Sequence, residues 1–455
     1  VRRGLSLGRA GGWHSCDIDA PSLWQILTLF IIYVFGCATV FVAYLMAACD
    51  LYLFTFLYFV TFAFAVPRKV VSPLTFFYIY YGLWFVVAPW FAERYQGGVM
   101  DAVQYDLAFA LAYVTFGVGV VAMIVGERWA KKSVKTSQGI GYVIGVRDFL
   151  ILLSFFYFLS TVLVVLIVLN SGGFGVWISN PGDAFLNRAG SGHFVILSHF
   201  SSMLLALFTG WYASSKGKRT PIALFLIWLV ITSPVHGSKF QIVLLIVLSV
   251  LPWIRYIPFF SKGSMVLGFS FIFVLFLGLY FRNMSWIDIE SIVPYTLNYF
   301  TALENLAVSL RDFDSAFMTT FFLPFNKFLT PFGLSDASLY YDMNHYLTDI
   351  YFPSAWEIRA TEQWPVETDL YLNFYFFGGL PVIAFYLGFI GYLYGLACRK
   401  NSVGAWFAAV VMILFMISHL RGSLINHTDF YMYPFIFLMY IGFSKFNFKV
   451  KRDYL

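Results

Sequence analysis

Charge is what this sequence has least of. Asp, Glu, Lys and Arg supply only 11% of its 455 residues, where a soluble domain carries about 25%. With 60% hydrophobic residues and a mean hydropathy of +0.77, that scarcity excludes an ordinary water-soluble domain and indicates an integral membrane protein. Cysteine is scarce as well. Cys16, Cys37, Cys49 and Cys398 are scattered among runs and connectors, which excludes a disulfide framework. There is no Walker loop, no Rossmann glycine pattern leading into a soluble fold, no His-Glu-x-x-His and no Gly-x-Ser-x-Gly. The corresponding nucleotide, zinc-protease and serine-hydrolase chemistries drop out with them. No internal repeat or low-complexity segment is present. The net charge of +6 is spread over short connectors, so it is not a nucleic-acid footprint.

Apolar runs are abundant. A membrane span needs roughly 20 mostly apolar residues. Runs at 23–45, 48–66, 72–91, 105–126, 149–170, 194–213, 221–235, 240–257, 264–281, 380–397, 404–420 and 428–444 predict an all-α, polytopic membrane protein of about twelve transmembrane helices. The run at 221–235 is the shortest, and with its neighbour it could form a re-entrant hairpin. The first run is too long for a signal-peptide core and reads as a span. Alternating these spans from a cytoplasmic N-terminus leaves eight basic residues in outer connectors: Arg94, Arg188, Lys239, Arg282, Arg311, Lys327, Arg359 and Arg421. All other Lys and Arg fall inside, as the positive-inside bias requires, and removing any one span would break the pattern. The expected layout is a cytoplasmic tail at 1–22, nine spans within 23–281, a large outer loop at 282–379, three spans within 380–444 and a basic cytoplasmic tail at 445–455.

The loop at 282–379 is the only long segment that is not itself a membrane-length run. A membrane protein with one large charged, aromatic-rich loop tends to carry its function there. Within it, 294–312 reads as a helix, with Phe300, Leu303, Ala307 and Leu310 forming an apolar stripe expected to lie on the membrane surface. Irregular chain with short helices is expected over 321–364. Of the outer cations, Arg188, Lys239, Arg282, Arg311 and Arg421 stand near outer membrane boundaries. Each is either a surface counter-ion or part of a cation group that grips an anionic headgroup, since the arginine fork fits phosphate oxygens. Lys239 follows Gly237-Ser238, where backbone can approach a ligand closely. His345 is the only histidine of the loop and a candidate proton acceptor at neutral pH. His345 has a bland reading too, as a satisfied surface histidine. Asp312-Phe313-Asp314 could hold a divalent cation, but solvated acids at a helix end explain it as well, and no metal or other cofactor is expected. Tyr340, Tyr341, Tyr346, Tyr351, Trp356 and Trp364 could offer flat faces to sugar rings.

The run Glu367-Thr368-Asp369-Leu370-Tyr371-Leu372-Asn373-Phe374, followed by Gly378-Gly379 and a span, resembles the acidic–Leu–Tyr–x–Asn–Phe–Gly pattern of the bacterial O-antigen polymerase family, the oligosaccharide repeat-unit polymerases. Asp369 stands where that family usually has Glu, and Tyr375 where it has Gly. Gly237-Ser238-Lys239 is similar to the family's Gly–Ser/Thr–Arg turn. Arg282, the Phe300–Leu306 run and Arg421 fit as well, as does a single large periplasmic loop in the C-terminal half. The resemblance implies a GT-C-like glycosyltransferase of the bacterial inner membrane. It would join oligosaccharide repeat units carried on undecaprenyl pyrophosphate, with a chain-length regulator protein and a flippase as partners besides the lipid bilayer. Arg188, Lys239, Arg282, Arg311 and Arg421 would bind the pyrophosphate; Asp369, Glu304 or His345 would be the base. The alternatives are an O-antigen ligase, which shares the donor and the topology, and a lipid-linked sugar flippase or transporter.

Overall fold

The computed structural model describes residues 21–91, 102–133, 146–179, 192–236, 239–283, 302–335, 340–357 and 361–446, together with isolated positions 184, 293, 296, 297 and 300. Within these ranges the backbone alone is described at 102–104, 146, 239, 271, 274–283, 331 and 355–356. The described chain is helical apart from isolated bridges such as Lys69–Pro258 and Phe317–Phe374.

The helices before the loop are α1 (Leu23–Leu45), α2 (Leu51–Phe64), α3 (Pro73–Phe91), α4 (Ala102–Ser133), α5 (Val146–Asn170), α6 (Gly192–Lys216), α7 (Thr220–His236), α8 (Lys239–Ile254) and α9 (Lys262–Asn283). Then come the loop helices α10 (Leu303–Asp312), α11 (Leu323–Leu329), α12 (Met343–Tyr351) and α13 (Val366–Phe374), and finally α14 (Leu380–Lys400), α15 (Val403–Leu420) and α16 (Asp429–Phe443). Several starts are written in the sequence. Ser22, Asp50, Ser72 and Ser402 each accept a hydrogen bond from the backbone N–H three residues on, which satisfies a donor the helix leaves free. In α3 the turn at Gly82–Val87 is a π-helix. Pro89 lacks the N–H that would bond Phe85 and its ring crowds that carbonyl, and the wider turn takes up the mismatch.

Each of the twelve predicted runs coincides with a helix. Among the described residues, seven are long and apolar enough to cross a membrane, and the chain is an all-helical, polytopic membrane protein. The helices α2, α7, α8 and α16 are shorter, at 14 to 17 residues. At 1.5 Å per residue the 14 residues of α2 rise about 21 Å, less than the roughly 30 Å of bilayer hydrocarbon.

The tightest seam joins α4 to α14, and it requires glycine. A Cβ on Gly126 would stand 1.9 Å from the Gly388 carbonyl oxygen, and one on Gly391 2.2 Å from that of Met123. The backbones therefore touch, as small residues allow in membrane helices. Polar contacts sort the molecule into two ends. At one end Arg128 donates to the Pro21 carbonyl (2.6 Å), Lys69 to that of Tyr256 (2.9 Å), the buried Arg255 to Asn401 Oδ1 (2.9 Å), and the Val403 N–H to the Phe446 carbonyl (2.7 Å). These are the connectors the alternating scheme puts on one side. At the other end the segment 302–379 caps α3, α4 and α15.

Two expectations for the cap need correction. The predicted helix at 294–312 is interrupted: Thr296 and Leu297 are helical, Phe300 sits in a turn, and α10 starts at Leu303. Its apolar stripe does not face lipid: Phe300, Leu303, Ala307 and Leu310 are all buried in the main core, where α10 packs on α4 and α13. The irregular stretch with short helices over 321–364 is found as expected. Its aromatics pack on one another, with Trp364 wholly buried against Tyr351 (ring centroids 5.2 Å apart), so these two rings do not present faces outward. The Trp356 side chain lies outside the described residues.

Candidate functional site

The centre of the cap is α13. Its Pro365 N-cap supplies no side-chain bond, and the helix is fixed by burial instead: Glu367, Thr368, Asp369 and Asn373 are all at most 3% exposed. Four polar side chains at that depth need partners. The Tyr81 hydroxyl of α3 donates to Glu367 Oε1 (2.6 Å), and Thr368 meets Ser309 of α10 (3.3 Å). Asn373 donates to Asp369 Oδ1 (2.8 Å) and to Thr320 Oγ1 (2.8 Å), and accepts from the Thr320 N–H (2.7 Å). Asp369 Oδ2 accepts from the Leu424 N–H (3.1 Å). That last bond ties α13 to the turn between α15 and α16.

The C-terminus of α13 places Tyr375 in a backbone conformation that favours glycine. The helix closes with Tyr375 at φ 51°, ψ 31°, and Phe376 follows at φ 58°. The Phe376 N–H reaches back to the Leu370 carbonyl (2.8 Å), and the Ala316 carbonyl accepts from the Tyr375 N–H (3.0 Å). The left-handed backbone is the one glycine adopts freely. Tyrosine holds it here at a steric cost, with its ring laid parallel to Phe317 at 6.3 Å.

Around the turn at 421–428 lie more titratable groups than the sequence reading assigned. His419, fully buried at the end of α15, pairs through Nε2 with Asp429 Oδ2 at 3.0 Å, while its Nδ1 is 3.0 Å from the Tyr386 hydroxyl. Asp429 Oδ2 also accepts from the Asn426 N–H (2.8 Å). On the loop side Asp342 caps α12 and bonds both the backbone N–H (2.9 Å) and the ring Nδ1 (2.6 Å) of His345. The Met343 N–H donates to Ser423 Oγ (3.2 Å) and Asn344 to the Arg421 carbonyl (3.3 Å), locking α12 onto the turn. The Lys327 ammonium sits 4.5 Å above the Tyr341 ring, and that ring lies 6.1 Å from His427. His427 Nδ1 is buried with no hydrogen-bond partner among the described residues.

This crowding shifts protonation. Burial pushes the Asp369 carboxyl up to about 6, against the Leu424 N–H and the Asn373 amide, which favour its ionised form. Burial pushes Glu367 up to about 7, against the Tyr81 hydroxyl. Burial also opposes the charge on Asp342, yet His345 outweighs it and holds that carboxyl below its ordinary range. Burial, then the Lys327 charge, holds His427 down to about 4, so its ring is neutral at physiological pH.

Of the expected site residues, Asp369, His345 and Arg421 gather around this one turn. Asp342 is the link, since its charge acts on Asp369 while its oxygen holds His345. Arg421 lies close enough to act on Tyr80 of α3, whose hydroxyl donates to the Leu420 carbonyl (2.5 Å). Glu304 and Arg311 sit on α10. Glu304 is close enough to act on Tyr105 of α4, and Arg311 forks onto Asp312 through Nε (2.6 Å) and Nη2 (2.9 Å). That fork first, with the Tyr351 hydroxyl (2.8 Å) assisting, lowers the Asp312 pKa. In the Asp312-Phe313-Asp314 pair, therefore, Asp312 serves as a counter-ion. Among the described residues no group of three or more His, Cys, Asp or Glu is placed to hold a metal ion. Arg188 and the side chains of Lys239 and Arg282 lie outside the described residues. Glu367 and the His419–Asp429 pair were missed as site members. A histidine ten residues before an acid across a turn was the one available signal.

No family model, no curated protein and no solved structure matches this chain.

Proposed function

We propose that the chain is a membrane glycosyltransferase that polymerises undecaprenyl-pyrophosphate-linked oligosaccharide repeat units at the outer face of a bacterial inner membrane. In this reading all twelve long or short apolar helices cross the bilayer in a GT-C-like arrangement, both termini are cytoplasmic, and the cap is periplasmic. The observation that carries it is the bond from the Leu424 N–H to Asp369 Oδ2 at 3.1 Å. It joins the acid of the Glu367–Phe374 run to the turn that begins with Arg421. With its pKa near 6, Asp369 is ionised at neutral pH yet basic enough to take the proton of an acceptor hydroxyl, the balance general-base catalysis needs. The pyrophosphate leaving group gathers negative charge as the glycosidic bond forms. Cations fixed beforehand stabilise that charge without reorganising, which is the role of Arg421 together with Lys239, Arg282 and Arg188. Arg311, already forked onto Asp312, contributes through a rearrangement of that pair.

The test is glycan length in cells lacking the gene and complemented with variants. Asp369→Asn, at unchanged protein level, is expected to cut polymerisation by about 10² to 10⁴ and leave single capped repeat units; Arg421→Ala should do the same. Full-length polymer from Asp369→Asn would overturn the assignment. Unattached lipid-linked polymer in the deletion strain would point instead to ligation onto lipid A core.

A further inference from the structure

We propose that the groove between α1, α4 and α14 binds one anionic phospholipid of the leaflet at the basic end of the molecule. The groove encloses about 770 Å³ and is walled by apolar side chains, among them Val118, Val125, Phe385 and Phe389. Its floor is the glycine seam at Gly126 and Gly388, where a Cβ on Gly126 would be only 1.9 Å from the facing carbonyl oxygen. Backbone contact thus deepens the surface at Gly126, where a side chain would not fit.

The length of the groove fits a single leaflet. Along α4 it runs from Val118 to Trp129, a rise of about 16 Å, and half of a bilayer's hydrocarbon is about 15 Å. Trp129 marks the end, 67% exposed, with its ring 5.4 Å from Tyr392 of α14. An aromatic pair at that depth is where a chain passes into headgroups. Beyond it the uncharged lining gives way to cations that suit an anion. Lys132, exposed, is three residues past Trp129 and therefore on the same face of α4. Arg399 is seven residues past Tyr392 on α14, again in line with the groove. Both lie at the end where the basic connectors collect, away from Asp369, so the inference does not rest on the proposed activity. An acyl chain accounts for the apolar walls, and a net negative headgroup accounts for the two cations beyond them.

The experiment uses the full-length protein in mild detergent, titrated separately with phosphatidylglycerol and phosphatidylcholine, with bound lipids counted by native mass spectrometry. One phosphatidylglycerol should bind more tightly than phosphatidylcholine. Lys132→Ala, at an exposed position that should not disturb folding, should weaken phosphatidylglycerol binding about fivefold, and the double change with Arg399→Ala about 20-fold or more. Phosphatidylcholine binding should be unmoved by either. Ala384→Trp, which fills the groove and leaves both cations in place, should remove the single-lipid adduct. Equal affinity for the two lipids, or a phosphatidylglycerol adduct unaffected by Ala384→Trp, would overturn the proposal.

Discussion

Nε2 of His419 stands 3.0 Å from Oδ2 of Asp429, and neither side chain is more than 5% exposed. The two residues flank the turn that carries Arg421 and the Leu424 N–H, so their contact closes the turn from below.

Removing one partner of such a buried pair strands the other, at a cost of about 3–5 kcal/mol. His419→Ala and Asp429→Ala should each destabilise by that order. The double variant should cost much less than their sum, because the second change removes a group already left without its partner. Thermal unfolding of the four proteins in one detergent measures the cycle; additive losses would mean that the pair is not a unit.

Glu367 gives a pH dependence whose sign is fixed. Burial pushes its carboxyl up to about 7 in the folded protein, from an ordinary 4.5. Between those values the folded state holds a proton that the unfolded state has released, so stability falls as pH rises through that window. The full effect is on the order of 3 kcal/mol. Melting temperatures from pH 4.5 to 7.5 should drop more steeply for the wild type than for Glu367→Gln, which keeps an acceptor for the Tyr81 hydroxyl and cannot ionise. Parallel curves would contradict the buried, neutral carboxyl.

Tyr375 tests the backbone at the end of α13. Tyr375→Gly and Tyr375→Val both lose the ring that lies against Phe317, so the difference between them isolates the left-handed φ of 51°. Glycine accepts that conformation, while a β-branched residue resists it by about 1–2 kcal/mol. The valine variant should melt below the glycine variant by a corresponding margin. If the two melt together, the positive φ is absent in solution.

Much of the architecture was legible because hydrophobic length is a local property. The run at 105–126 declares a span by itself, and the basic residues of 127–147 declare its end. The run at 367–374 stood out for another reason: its order of residues resembles a known pattern. Neither reading could show that Glu367 would be held by Tyr81, 286 residues earlier. Nor could it show that the surface stripe of 300–310 would be covered by α4. An amphipathic stripe looks the same whether lipid or another helix will bury it. His345 could be singled out as a titratable group, but its capture by Asp342 depends on the N-cap geometry of α12.

Composition and run length alone made this an all-helical membrane protein with one large polar segment, since burying an apolar span in lipid needs no partner from elsewhere in the chain. Which acid meets which turn was decided only in three dimensions. Asp342, Asp369 and the stretch that carries His419, Leu424 and Asp429 lie apart in sequence, and only packing in the cap brings them within range of one another. The raised pKa of Asp369 follows from burial in that packed cap, which no single stretch of sequence contains.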